Sequence, residues 1–355
     1  MGEIFSIVLV IIGALIGAGF ASGQEIYSFF YCYGINGLFG IIITCTLISL
    51  LIYKSFKIIY KNEINSYEEL LEIFIKNRRF IKIINLLLNI LLLASFYIMI
   101  AGFGAYFEQE IGISKIIGSM VLVIMCFLVF LTNVQGVLKV SEYLVPLLII
   151  FIIIIGMNNL FSINLNNIQI PIVKNGWLLS SIIYCSYNMI LLIPVLISLR
   201  KHISKEKNIK YIAIISNVIM IVLSGMIYML LIKSDVEIST LEMPAVYIIR
   251  KFFSKFKNIY AFIILSSIFT TAISIGIGFL QNVSKNKKSY TQFVLFMCIT
   301  SLIISNFGFS KLVNLAYPVF GYIGIIQIML ILSKNVCKNN RLWYNNSKYQ
   351  KTRRK

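Results

Sequence analysis

Ten apolar segments follow one another along the chain, at about 4–32, 37–60, 82–107, 113–132, 140–161, 176–199, 209–232, 258–283, 290–305 and 311–333. The second and fifth are almost unbroken runs of Ile, Leu and Phe. A helix on the surface of a soluble domain carries one apolar stripe and one polar face, whereas a helix that is apolar all round is built for a lipid interior. Crossing the ~30 Å hydrocarbon layer takes about 20 such residues. The pattern therefore predicts an all-α integral membrane protein with about ten transmembrane helices, the ninth being the shortest. Residues 1–333 read as one membrane domain and 334–355 as a basic cytoplasmic tail. The first segment begins at Ile4, lacks a basic n-region and runs past Phe30, well beyond the ~7–15 apolar residues of a signal peptide. It is expected to stay in the protein as the first span.

Composition supports that pattern. Of 355 residues, 59% are hydrophobic and 13% charged, with mean hydropathy +0.89. Soluble domains sit near 45–50% apolar and about 25% charged. The net charge of +19 would suit nucleic acid if it were clustered on one face, but it is distributed by topology. With the N-terminus in the cytoplasm, the cytoplasmic connections carry 24 Lys and Arg and the opposite connections carry 8. That bias predicts a multi-pass protein of the cell membrane with both termini cytoplasmic. One connection dissents: residues 233–257 place Arg250, Lys251, Lys255 and Lys257 outside. A short helix packed over the bundle is expected there. The connector 61–80, with four Glu and four Lys or Arg, reads as a solvated intracellular segment. The tail's cations suit an anionic inner leaflet rather than a nucleic acid. Membrane lipid and a small solute are the expected partners, and the oligomeric state is left open.

No catalytic constellation is visible, so no enzyme activity and no cofactor are expected. The six cysteines are scattered without a CxxC pair, and the single histidine, His202, has no acidic or thiol neighbours in sequence. Neither suggests a bound metal.

Candidate chemistry begins in the first segment, at "GALIGAGFASGQE". Gly13 and Gly17 have the small-xxx-small spacing that lets two helices approach closely. The same glycines, followed at once by Ser22, Gln24 and Glu25, also fit a helix broken inside the membrane. Unpaired backbone groups survive at that depth only where protein or a water-filled cavity satisfies them, so a break marks a site. Glu25 is the sharpest single residue, because a carboxylate within a span costs up to ~3 kcal/mol. No Lys or Arg stands within the interior of any span, leaving hydroxyls, backbone, a cation or a proton as its partner. It is a candidate for proton or cation coupling, for binding a substrate amine, or for a structural bond to the broken backbone. On the third span Ser95, Tyr97 and Tyr106 are candidate cavity residues, while Gly102 and Gly104 suit close packing.

"IGAGFASGQEIYSFFYCYGINGLFG" and "FSKLVNLAYPVFGYIG" together resemble the YkvI-like membrane protein family. "IGAGFASGQE" resembles the first-span signature of the amino acid–polyamine–organocation superfamily. The resemblance covers nearly the whole chain. It implies a LeuT-like fold of five plus five spans in inverted repeats, here about 4–161 and 176–333, with the first helix broken. It implies that Gly17, Ala18 and Gly19 offer N–H groups to an anionic substrate group, with Ser22 and Glu25 nearby. Carbonyls at Gly13 and Ile16 would face a cation, with Thr270, Thr271 or Ser274 of the eighth span completing a sodium site. Inter-helical hydrogen bonding by those hydroxyls is an equal reading. In the sixth span, the symmetry mate of the first, Ser186, Tyr187 and Asn188 interrupt the apolar run and Pro194 follows, which predicts a second break near 185–189. No GxG stands there. The expected function is a secondary active transporter of a small solute, with an amino acid or related zwitterion as candidate and sodium or protons as driving ion. A membrane-embedded ligand receptor on the same fold, binding without moving its ligand, is the other reading.

Overall fold

The computed structural model describes residues 2–162, 174–232, 243–305 and 309–333. The tail 334–355 lies outside the described residues. Within them the chain is helical throughout, with no strand. The opening segment divides into α1 (Gly2–Leu15), α2 (Ala18–Ala21) and α3 (Gln24–Ile26), the last running into a π-turn over Tyr27–Tyr31. There follow α4 (Ile35–Lys61), the short α5 (Tyr67–Glu72), α6 (Arg78–Tyr106), α7 (Lys115–Leu131) and α8 (Asn133–Ser162). The second half comprises α9 (Trp177–Leu199), α10 (Asn208–Leu231), the short α11 (Pro244–Phe252), α12 (Lys257–Val283), α13 (Lys287–Ile304) and α14 (Phe309–Ser333).

Six of these are long and apolar enough to cross a membrane, and α1 and α7 are shorter apolar helices. Burial separates the centre from the rim. The most apolar stretch of α12 is 94% buried and that of α9 is 83% buried, against 33% for α8. α9 and α12 therefore form the middle of the bundle with α1, and α8 turns its Ile and Leu side chains outward to where lipid lies. Close helix approach is set by glycine where it matters. A Cβ on Gly324 of α14 would collide with the carbonyl of Ser186, so only glycine lets α14 lie this tightly on α9.

The first helix breaks at Ile16 and Gly17: the Ile16 N–H still donates to the Ile12 carbonyl at 2.9 Å and the Gly17 carbonyl accepts the Ala21 N–H at 2.9 Å, but the helical run stops between α1 and α2. A second interruption comes at Ser22 and Gly23, where Gly23 takes φ +81°, a left-handed conformation that favours glycine. The predicted break in the sixth span is corrected: α9 is one continuous helix from Trp177 to Leu199, with Pro194 inside it. The polar residues that suggested an interruption bond back along their own helix. Ser186 Oγ donates to the Ile182 carbonyl at 2.7 Å, and Asn188 Nδ2 donates to the Tyr184 carbonyl at 2.9 Å. Without glycines to unwind the turn, such i−4 bonds leave the helix whole.

The two ends of the bundle are segregated as alternating spans require. At one end the Ser204 N–H donates to Glu3 Oε1 at 2.8 Å, Arg200 donates to Asn65 Oδ1 at 2.9 Å, and Lys54 Nζ donates to the Leu332 carbonyl at 2.7 Å. At the other, Arg250 pairs with Glu110 at 3.8 Å. The basic segment that broke the charge pattern does fold as a short helix over the bundle: α11 buries Ala245, Ile248 and Ile249. α5 is less solvated than its charge suggested, since Tyr67, Leu70 and Leu71 are buried beneath it.

A three-way amide clasp fastens α5 to the core. Asn282 of α12 donates to Asn85 Oδ1 and Asn89 Oδ1 of α6, each at 2.8 Å, and its own Oδ1 accepts the Tyr67 N–H at 2.9 Å. Each such bond is worth about 0.5–1.5 kcal/mol net. Asn282→Leu is therefore expected to lower the unfolding temperature of the purified protein, and Asn85→Leu, which removes one of the three bonds, to lower it less. Thermal unfolding in detergent measures both.

Candidate functional site

The break releases backbone groups inside the bundle, and neighbouring helices take up the carbonyls one after another. Thr271 Oγ1 of α12 lies 2.6 Å from the Gly13 carbonyl oxygen and 3.1 Å from that of Ile16. One hydroxyl proton satisfies one of these oxygens at a time. Farther out, Tyr260 Oη donates to the Ala21 carbonyl at 2.6 Å, and the Ala245 N–H of α11 donates to the Ser22 carbonyl at 2.8 Å. Ser180 Oγ donates to the Phe29 carbonyl at 2.9 Å, and Tyr228 Oη donates to that of Gly34 at 2.7 Å. α9, α10, α11 and α12 each hold a piece of the broken segment through its main chain.

Beside the break is a small cavity of about 20 Å³, room for little more than one water molecule. Gly17, Ser95, Met99, Tyr187, Asn188 and Thr271 line it, with Ala14, Leu15, Leu191, Leu192 and Ile275 as the apolar wall. Gly17, at the start of α2, and Thr271, which meets the α1 carbonyls, thus line one cavity. A larger solute requires the surrounding helices to separate.

Glu25 lies buried in α3, beyond α2 from this cavity, 3% exposed. Its carboxylate accepts hydrogen bonds from Tyr184 Oη at 2.9 Å and Tyr187 Oη at 3.1 Å. Tyr187 also lines the cavity, so one ring connects the carboxylate to it. Gly19 makes room for the carboxylate: a Cβ there would overlap Glu25 Oε1.

The other sequence candidates fall in different places. Thr271 is at the Gly13 and Ile16 carbonyls, whereas Thr270 Oγ1 bonds back to the Ser266 carbonyl at 3.0 Å with its Cβ against Gly13. Ser274, one turn on, is buried with no hydrogen-bond partner for Oγ among the described residues. Ala18 is buried in α2 without reaching the cavity wall. Ser22 Oγ donates to the Gly19 carbonyl at 3.2 Å and closes the turn rather than facing the cavity. Asn188 and Tyr187 reach the cavity; Ser186 faces the other way, beneath Gly324. Tyr97 is turned off the site as well. Its hydroxyl meets Thr300 Oγ1 of α13 at 2.7 Å, because Ser95 and Met99, four residues apart on α6, occupy the cavity face and Tyr97 falls opposite. Tyr184 was not among the sequence candidates. Its place three residues before Tyr187, on the same helix face, was the signal that pairs it with Glu25. Among the described residues no group of three or more His, Cys, Asp or Glu side chains gathers to hold a metal.

No protein-family model matches the chain. Over 345 residues it is 31% identical to "Uncharacterized membrane protein YkvI" of Bacillus subtilis (strain 168), covering 96% of this chain and 99% of that protein. The chain belongs to the YkvI family of membrane proteins. A second relative, "Uncharacterized protein YyaD" of the same organism, is 24% identical over 329 residues, covering 91% of this chain and 94% of that one. Among solved structures, that of MhsT in complex with L-phenylalanine aligns with a TM-score of 0.65 at 16% identity, over 92% of this chain and 88% of that one. This member of the YkvI family thus has the LeuT-like fold, with its first helix broken.

The two glycines of the break differ in what a methyl group would meet. At Gly17 a Cβ would stand 3.4 Å from Thr271 Cγ2, ordinary contact, whereas at Gly19 it would displace the Glu25 carboxylate. Gly19→Ala is expected to cost about 1–3 kcal/mol of stability, the range for overpacking, and Gly17→Ala markedly less. In a double-mutant cycle Gly19→Ala with Glu25→Ala is expected to cost less than the sum of the two, read from thermal unfolding.

Proposed function

We propose that this protein is a secondary active transporter that moves a small solute, an amino acid or related zwitterion, coupled to sodium. The observation that carries the reading is the pair of main-chain carbonyls at Gly13 and Ile16, both within 3.1 Å of Thr271 Oγ1 beside the cavity. Carbonyl and hydroxyl oxygens suit a hard monovalent cation, and carbonyls at the end of a half-helix are where such folds hold one. The solute would take the cavity between Gly17, Ser95, Met99, Tyr187 and Asn188, its anionic group toward the N–H group of Gly17 at the start of α2. The likeness to a structure holding L-phenylalanine supports an amino acid as the first class to try. Transport then follows from rocking one set of helices against the other, which opens the cavity to each side in turn. The Lys and Arg bias supports a cell-membrane protein with both termini in the cytoplasm.

Uptake of a panel of radiolabelled amino acids into proteoliposomes tests this directly. An inward sodium gradient is expected to drive accumulation above that of protein-free vesicles, and a sodium ionophore to abolish it. Saturable binding with no accumulation would instead make the protein a receptor. If a pH gradient alone drives uptake in the wild type and not in Glu25→Gln, the coupling belongs to that carboxylate.

Thr271→Val keeps the shape of the side chain and removes its oxygen. Sodium at a hundred times its dissociation constant stabilises a one-site protein by about 2.7 kcal/mol. The wild type is expected to unfold at higher temperature in sodium chloride than in choline chloride, and Thr271→Val to show no difference between the two salts.

A further inference from the structure

Away from the cavity, the ends of α4 and α10 that lie beside Glu3 and Ser204 part to form a cleft of about 420 Å³. Tyr53 and Lys57 of α4 line one wall, and Glu206, Lys207, Lys210 and Tyr211 the other. Its roof is fixed where Ser49 Oγ of α4 donates to the Ala213 carbonyl of α10 at 2.9 Å. Three lysines face one carboxylate, and that carboxylate is already engaged, since Glu206 pairs with Lys61 at 3.4 Å. The Lys57 ammonium lies 5.3 Å from the centre of the Tyr53 ring and donates to its hydroxyl at 3.2 Å, which holds the charge at the mouth of the cleft. The cleft therefore has a net positive lining with aromatic rings on both sides.

What adjoins it is apolar. Tyr211 is 55% exposed, and Ile214 and Val218 continue its outward face along α10 at helical spacing, exposed by 48% and 56%. Leu50 of α4 is exposed on the facing helix. Tyrosine at the foot of such a stripe is the pattern of a membrane–water interface.

We propose that this cleft binds the headgroup of an anionic phospholipid, its phosphate among Lys57, Lys207 and Lys210 and its acyl chains along the Tyr211, Ile214 and Val218 stripe. The lysine-rich end of the bundle places it at the inner leaflet. A soluble phosphate would use the lysines and leave the stripe idle, whereas a lipid uses both. The basic tail attracts an anionic surface diffusely through charge alone, while the cleft adds a shaped wall, a fixed roof and rings. This inference is independent of the transport reading.

Native mass spectrometry and thermal unfolding of the purified full chain test it, with phosphatidylglycerol and phosphatidylcholine of matched acyl chains as probes. The wild type is expected to retain phosphatidylglycerol through detergent and to be stabilised by it more than by phosphatidylcholine. The triple variant Lys57→Gln/Lys207→Gln/Lys210→Gln should bind phosphatidylglycerol on the order of a hundredfold more weakly, down to the phosphatidylcholine level. Lys285→Gln/Lys287→Gln/Lys288→Gln, which removes equal charge from the α12–α13 connection and the first turn of α13, should keep the preference. Equal loss in both variants would mean diffuse attraction and overturn the site. So would an unchanged preference in the first variant, or stabilisation by inorganic phosphate that matches the lipid's.

Discussion

A polypeptide inside hydrocarbon must pair every backbone N–H and C=O with protein, and a helix does so only while it remains unbroken. This chain breaks its first helix twice, at Ile16–Gly17 and at Ser22–Gly23. Much of the rest of the architecture answers to that. Thr271, Tyr260, Ala245, Ser180 and Tyr228 come from four different helices, yet each donates a hydrogen bond to a main-chain carbonyl of the opening segment or of the turn that follows it. The segment is thereby the hub of the bundle. Its neighbours are located against its backbone as well as against its buried side chains, and a small cavity sits beside the break.

The two halves meet this constraint differently. In the first half the glycines unwind the helix and partners must come from outside. In α9 the polar residues Ser186 and Asn188 turn inward on their own carbonyls, so the helix continues through Pro194. The central pair of helices is thus asymmetric in this structure: one supplies backbone to the cavity, the other supplies the Tyr187 and Asn188 side chains. Glu25 belongs to both, carried by the broken segment and held by tyrosines of the unbroken one.

How much of this was legible in the sequence depends on the range of the interaction. The membrane class, the broken first helix and the strapping helix between α10 and α12 follow from local pattern: apolar length, glycine spacing, and charge where topology disfavours it. Thr271 was one of three hydroxyls that periodicity alone does not separate, because Thr270 and Thr271 differ by one helical step, and only packing against Gly13 decides which of them turns to the carbonyls. Tyr97 was misplaced for the related reason that a polar aromatic in a span has two satisfactory answers, a cavity or a hydroxyl on a neighbour. Here Thr300 supplies the second. The predicted break in α9 failed because a polar cluster looks the same in sequence whether it opens a helix or bonds back to it.

The strap α11 is bound to the hub through the amide of Ala245 and the carbonyl of Ser22, main chain to main chain. Side-chain chemistry on its exposed face is therefore irrelevant to that attachment, and the confined positions are the buried ones, Pro244, Ala245, Ile248 and Ile249. Relatives of this protein can remodel the exterior of the strap, exchanging its cations for whatever suits their surroundings, without loosening its grip on the fractured helix beneath. The outer face of the molecule is in this sense decoupled from its interior, free to diverge while the mechanics it covers stay the same.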